Sequence, residues 1–377
     1  MLPIVIVAAV VFQSSPSILG CMPDSGRTLP APSMTEATVV VGLKADSPLF
    51  QVSSAVLAED LSFAVSNAGA NEILLFEHDG SLKTRLSQTG EGPSEFLRLG
   101  RIHLMEGDRL AATDHALRKV VVMDFQSGFV TSHPFPDLKI QTVFPLPRGQ
   151  WLAHSISAPV PTPGGGRLRT EGRLTVHNPD GRMQWEFLTI PGFELIDLEN
   201  PGGGMVRGFP PFRRGTHVSV DDTGCVWVAT DEDAKVQVYD LTGRRRGVVS
   251  LREYVPLELT QDEWDEEIER MVQRDRNPSA HAPLRRMLEG IPFDPRRPAF
   301  SGMEVDDAGR VWLAPYHNAD KDVDGWWLVA GLGVEPIWVP APPGTRRLLE
   351  VRSGHAVLLH VSPLGIETVT VRPVRSR

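Results

Sequence analysis

Basic residues recur at five places where a β-rich run begins: Arg98 and Arg101, Lys139, Arg213 and Arg214, Arg296 and Arg297, and Arg346 and Arg347. If those runs are the inner strands of repeated units around one axis, their side chains converge although they are distant in sequence. Forked guanidinium donors and a focused positive potential suit a ligand bearing carboxylate or phosphate. The chain holds 32 Arg, so many must also flank strands by chance and form surface ion pairs. Glu91 and Glu95, in a glycine-rich loop, complete the candidate ligand contacts, of which Arg98, Arg101, Arg213, Arg214, Arg297, Arg346 and Arg347 are the basic members.

Other chemistries find less support. There is no nucleophile elbow, zincin helix, phosphate loop or paired-cysteine motif, and Gly90-x-Gly92 lacks a third glycine at dinucleotide spacing. The 11 His are dispersed without a short-spaced pair. Asp114, Asp231, Asp233, Asn318 and Asp320 fall in loops, where an Asp more often caps a turn than binds an ion. No cofactor is expected; calcium is the ion such oxygen donors would take. A formal charge of −9 disfavours a nucleic-acid binder, which needs a clustered basic excess.

The chain opens on an apolar run, residues 2–12, of export-signal length and too short to span a bilayer. Ser17, Ile18, Leu19 and Gly20 before Cys21 resemble a bacterial lipobox, so Cys21 is the expected lipidation site, with 1–21 as signal and 22–35 as a flexible tether rich in Pro, Ser and Gly. Lipidation would leave Cys225, the only other cysteine, as a small unpaired residue in a strand. The expected location is the periplasm or outer membrane, with membrane contact through the lipid alone.

The 34 Gly and 32 Pro imply many turns and few long helices. Val220-Asp221-Asp222-Thr223-Gly224-Cys225-Val226-Trp227-Val228 repeats as Val305-Asp306-Asp307-Ala308-Gly309-Arg310-Val311-Trp312-Leu313, each a strand, an Asp/Gly turn and a second strand. A further strand-and-turn pattern closes on Gly80, Gly128, Gly181 and Gly243, spaced by 48, 53 and 62 residues, the period of a four-stranded propeller blade. Six units result, at about 50–90, 96–135, 139–190, 213–250, 298–335 and 346–374. The last has three strands, and 37–41 is expected to supply its fourth, closing the ring. The fold class is therefore all-β, a six-bladed β-propeller over 36–377.

Thr89-Gly90-Glu91-Gly92-Pro93-Ser94-Glu95-Phe96, within residues 72–125, resembles the loop of exported bacterial six-bladed propellers related to NHL-repeat proteins, with Ser94 where the family has Gly. The resemblance implies fold and export more than activity. A helical insertion interrupts the pattern at 257–292. Thr260 and Glu263 form a capping-box signature, Leu259 and Trp264 a hydrophobic staple, and Trp264, Ile268, Met271 and Val272 share one face, which predicts a helix over 261–274 and a shorter one near 284–288. The insertion, the 90–96 loop and the Pro/Gly-rich loops 155–173 and 192–215 all emerge on the face opposite the Asp/Gly turns, the expected functional face. Two functions stay in view. One is a binding or assembly module for an envelope protein, glycan or anionic small molecule; the other is a lactonase-like metal-dependent hydrolase or lyase working at the channel mouth.

Overall fold

The computed structural model describes residues 21, 31–43, 48–86, 88–107, 109–124, 130–135, 139–162, 167–199, 203–275, 277–317 and 321–376. The expected signal, the lipobox residues 17–20, tether residues 22–30, Asn318 and Asp320 lie outside them. Among the described residues no helix is long and apolar enough to cross a membrane.

The strands form six antiparallel sheets in a ring. Blades 1, 2, 4 and 5 are four-stranded meanders; blade 4, for example, runs Thr216–Val220, Val226–Thr230, Lys235–Tyr239 and Arg245–Ser250. The first strands pack in the succession of blades 4, 5, 6, 1, 2 and 3, which places them at the axis. Middle strands are buried on both faces, as in Phe63–Asn67, because every sheet is sandwiched between two others. Six apolar clusters fill the six blade-to-blade interfaces, and a seventh lies under the helical insertion.

The Asp/Gly repeat has a physical reason. Asp221 accepts from Thr223 N and Cys225 N, at 2.9 and 3.0 Å, and from the Trp227 indole Nε1 at 3.1 Å. Asp306 does the same with Ala308 N, Arg310 N and Trp312 Nε1, at 3.1, 2.8 and 2.9 Å. One carboxylate thus satisfies a turn's open N–H groups and the polar edge of a buried indole. Gly224 supplies the positive φ, +87°, that the turn requires.

Blade 6 owns Thr345–Arg352, His355–Val361 and Glu367–Ser376, and its outer strand comes from the N-terminal segment. Val39, Val40 and Val41 pair with Val371, Thr370 and Val369. Pro32–Met34 pairs further along the same strand, opposite 374–376, so the expected tether is too long at its end. Backbone pairing, not composition, ends the tether by residue 32.

Blade 3 is larger than expected. Arg167–His177 and Met183–Glu199 form a long hairpin, and Met205–Gly208 adds a strand to it, so 167–173, 192–199 and 205–208 are sheet where loops were expected. Pro191-Gly192 reads as a break in sequence, but the ladder passes through it by a register shift after Arg169. Gly192 is needed because a Cβ there would lie 2.1 Å from Thr170 Oγ1 and 2.7 Å from its carbonyl.

The insertion forms α1, Gln261–Arg274, and α2, Pro278–Glu289, longer than its sequence pattern suggested. Thr260 and Glu263 make the reciprocal capping box. Trp264, Ile268 and Val272 meet Ile196 and Leu198 of the blade 3 hairpin and Phe212, closing a small core over the insertion face.

Candidate functional site

The arginines expected to ring the axis are mostly engaged elsewhere. Arg214 is 3% exposed; its Nε donates to Glu194 Oε1 at 3.1 Å and its NH2 to Asp294 Oδ2 at 3.0 Å. Arg167 joins Glu194 and Asp294 at 3.2 and 3.5 Å, and Arg296 holds Asp294 through two bonds of 2.9 Å. This cluster ties the blade 3 hairpin, the entry to blade 4 and the end of the insertion together. Arg297 pairs with Glu263, whose carboxyl, held first by the Thr260 backbone N–H and then by Arg297, is lowered to about 2. Arg213 lies over the rings of Phe209 and Phe193, at 4.4 and 5.5 Å, and Arg346 faces Asp322 at 3.4 Å. Arg98 and Lys139 are exposed, each using its backbone carbonyl in the fold. These guanidinium groups therefore do not form one open ring, because the insertion and the hairpin bring carboxylates to them.

Glu95 is a loop-building residue. Its carboxylate accepts from Gly92 N and Gln88 Nε2, both at 2.8 Å, and covers Gly90, where a Cβ would lie 2.0 Å away. Lys119 Nζ closes the loop on Gly92 O at 2.7 Å, while Glu91 points to solvent. Ser94 fits without a positive φ. Asp114 caps Ala116 N and Leu117 N, Asp231 holds Gly215 N, and Asp233 meets Lys235, so these carboxylates serve turns. Among the described residues no three His, Cys, Asp or Glu side chains gather to hold a metal ion.

The cavity opens on the other face. A pocket of about 550 Å³ sits on the axis at the Asp/Gly-turn end, lined from all six blades by residues such as Glu59, Arg101, Phe144, Asp222, Glu304 and Glu350. Arg101 of blade 2 and Glu304 of blade 5 pair across the axis. Arg347 stands near that pair, donating to the Ser53 carbonyl at 3.1 Å. Towards the mouth, Arg352 grips Asp222 of blade 4 through two bonds of 2.8 Å, and its Nε reaches Glu350 Oε1 at 3.1 Å. His103 contacts Thr142 Oγ1 at 3.3 Å and packs on Phe144.

Burial raises the Glu350 carboxyl to about 8, against the pull of Arg352, and raises Glu304 as well. It lowers His103 to about 3, so that imidazole is neutral. The wall thus combines fixed cations, fixed anions and a carboxyl protonated at neutral pH. Of the candidate contacts only Arg101 lines this cavity. Glu304, Glu350 and Arg352 escaped notice in sequence, although Glu350 interrupts the apolar run Leu348-Leu349-Glu350-Val351 and Glu304 sits between Met303 and Val305.

Cys225, buried after the Asp221 turn of blade 4, has a partner. Its sulfur is bonded to that of Cys21, across 204 residues, with the Cα atoms 5.4 Å apart. The expectation of an unpaired Cys225 is thereby corrected. A sulfur in a disulfide cannot carry a thioether-linked lipid, so this bond and lipidation of Cys21 exclude each other.

Ring, channel and turn-face cavity define a six-bladed β-propeller with an axial site. Residues 38–158 match the DUF5128 family, a 6-bladed beta-propeller. Among solved structures, a Bacteroides fragilis protein inferred to be exported shares 11% identity over 92% of this chain and 96% of its own, with a TM-score of 0.55. A DUF4221 member from Bacteroides vulgatus shares 9% over 93% and 100%, with a TM-score of 0.54. At such identities the likeness is one of fold. No curated protein matches the chain.

Proposed function

We propose that the protein is an extracytoplasmic binding module whose ligand occupies the axial cavity on the Asp/Gly-turn face. The observation that carries this reading is that six blades, remote in sequence, deliver charged side chains to one solvent-accessible cavity of about 550 Å³. That volume fits a small polar molecule, and convergent polar groups in a concave site are the usual mark of a ligand site. Mixed charge argues against an exclusively anionic ligand.

Export is read from the apolar segment 2–12 and the lipobox-like residues before Cys21. A disulfide to Cys225 also suits an oxidising compartment, so both fates of Cys21 support the reading of an exported protein. Intact mass without reductant, combined with detergent-phase partitioning, distinguishes them: a lipidated chain partitions with detergent and leaves a Cys225 thiol to label.

The binding reading is tested by titrating the protein with small cationic, anionic and neutral sugars and amines, followed by calorimetry. Binding that is lost in Arg101→Ala or Glu350→Ala supports the cavity. Binding undisturbed by both substitutions places the ligand elsewhere.

A further inference from the structure

We propose that the cavity takes its ligand through a cationic head, a guanidinium or primary ammonium, seated on the free carboxyl oxygen of Glu350. The inference rests on the reading of the cavity as the binding site. Arg352 serves two carboxylates at once: two of its nitrogens are committed to Asp222, and only Nε reaches Glu350 Oε1. Glu350 Oε2 has no hydrogen-bond partner among the described residues, and the residue lines the cavity. Deeper in, Arg101 is matched by Glu304. Around Arg352 one cation therefore serves two carboxyl groups, and an incoming cation completes that set; Arg109, Arg148, Glu59 and Glu106 are further charged groups on the cavity wall.

The groups facing Glu350 decide its protonation. Arg352 on its own blade favours the carboxylate, whereas burial, Glu304 from blade 5 and Asp222 from blade 4 favour the acid, and the balance lies at about 8. Arg101 is spent on Glu304, and His103 is neutral. In the empty protein at pH 7 Glu350 is thus mostly protonated. A bound cation stabilises the carboxylate, so Glu350 gives its O–H proton to the buffer as the ligand enters.

The test uses agmatine, whose guanidinium stays charged throughout, titrated into the full chain by calorimetry. At pH 7, runs in phosphate and in Tris should differ in enthalpy by about one released proton. Affinity should rise roughly tenfold per pH unit below 8 and level off above it. Glu350→Gln should abolish both the proton release and the pH dependence, with at least about a tenfold loss of affinity at pH 8. The wild-type proton count needs no variant, so it stands even if the substitution disturbs folding. Agmatine that fails to bind, or binds without releasing a proton, overturns the inference. A parallel titration with glucuronate separates the two levels: glucuronate binding that depends on Arg101, with none for agmatine, removes the cationic head and keeps the cavity. Failure of both probes removes both.

Discussion

The two ends of the ring spend their arginines differently. On the insertion face Arg167, Arg214 and Arg296 share Glu194 and Asp294 beneath the hairpin and helices, with Arg214 and Glu194 each 3% exposed. On the turn face Arg101 and Arg352 meet Glu304, Glu350 and Asp222 around open space, with Arg101 32% and Glu304 20% exposed. The same residue types thus make a structural clamp where neighbouring chain segments exclude solvent, and an open cavity wall where they do not. On the insertion face the length of the long loops goes into mutual packing.

The comparison breaks most sharply at Arg214. Arg214→Ala would remove the buried guanidinium shared by Glu194 and Asp294, leaving Glu194 to Arg167 alone, and is expected to destabilise the protein by about 3–5 kcal/mol, read from urea unfolding. A loss below about 1 kcal/mol would show that solvent reaches this cluster and that the two faces do not differ.

On the turn face the largest effect is covalent. Opening the Cys21–Cys225 link frees a loop spanning 204 residues, and reduction or Cys225→Ala should cost about 2–4 kcal/mol. The measurement is denaturant unfolding with and without reductant. Equal stability in both would mean that the link is not formed in the mature protein, as lipidation of Cys21 requires.

What was legible in sequence follows the range of the interaction. Asp221 and Asp306 were readable because a turn cap and an indole six residues on are local. So were Thr260 and Glu263, whose capping box spans one helical turn. The blade 3 hairpin was not, because Pro191-Gly192 imitates a chain break and only the facing Thr170 explains the glycine. The cavity was hidden for another reason. In an inner strand a channel-facing Glu alternates with core residues just as a solvent-facing Glu does in an ordinary sheet, so Glu304 and Glu350 carry no period of their own. Their place becomes visible only when the ring closes and Arg101, 203 residues from Glu304, arrives opposite.

Glu350 sharpens the contrast through pH. Its carboxyl titrates near 8 in the folded chain and near 4.3 when unfolded. Between those values the folded state keeps a proton that the unfolded state has lost, so this group's contribution to stability is present below about pH 4.3 and declines as pH rises to about 8. Glu350→Gln removes the decline. The variant should match the wild type at pH 4.5 and exceed it by about 4 kcal/mol at pH 8.5, from unfolding curves at the two values. A constant difference across pH would show that Glu350 is solvated like a surface carboxylate.

The smallest effect is expected at Arg101, and smallness is what the comparison requires. Removing Arg101 takes the ion-pair partner of Glu304, as removing Arg214 takes the guanidinium that Glu194 shares with Asp294. Glu304, however, borders the cavity and is already raised by burial, so it can take up a proton or water instead of remaining a stranded charge. Arg101→Ala should therefore cost no more than about 1 kcal/mol at pH 6 and slightly more at pH 8.5, where protonating Glu304 is harder. Arg101→Met, which keeps the stem, should be milder still. Both are measured beside Arg214→Ala in the same urea series. A cost at Arg101 equal to that at Arg214 would mean that the axial pair is a clamp like the one on the insertion face.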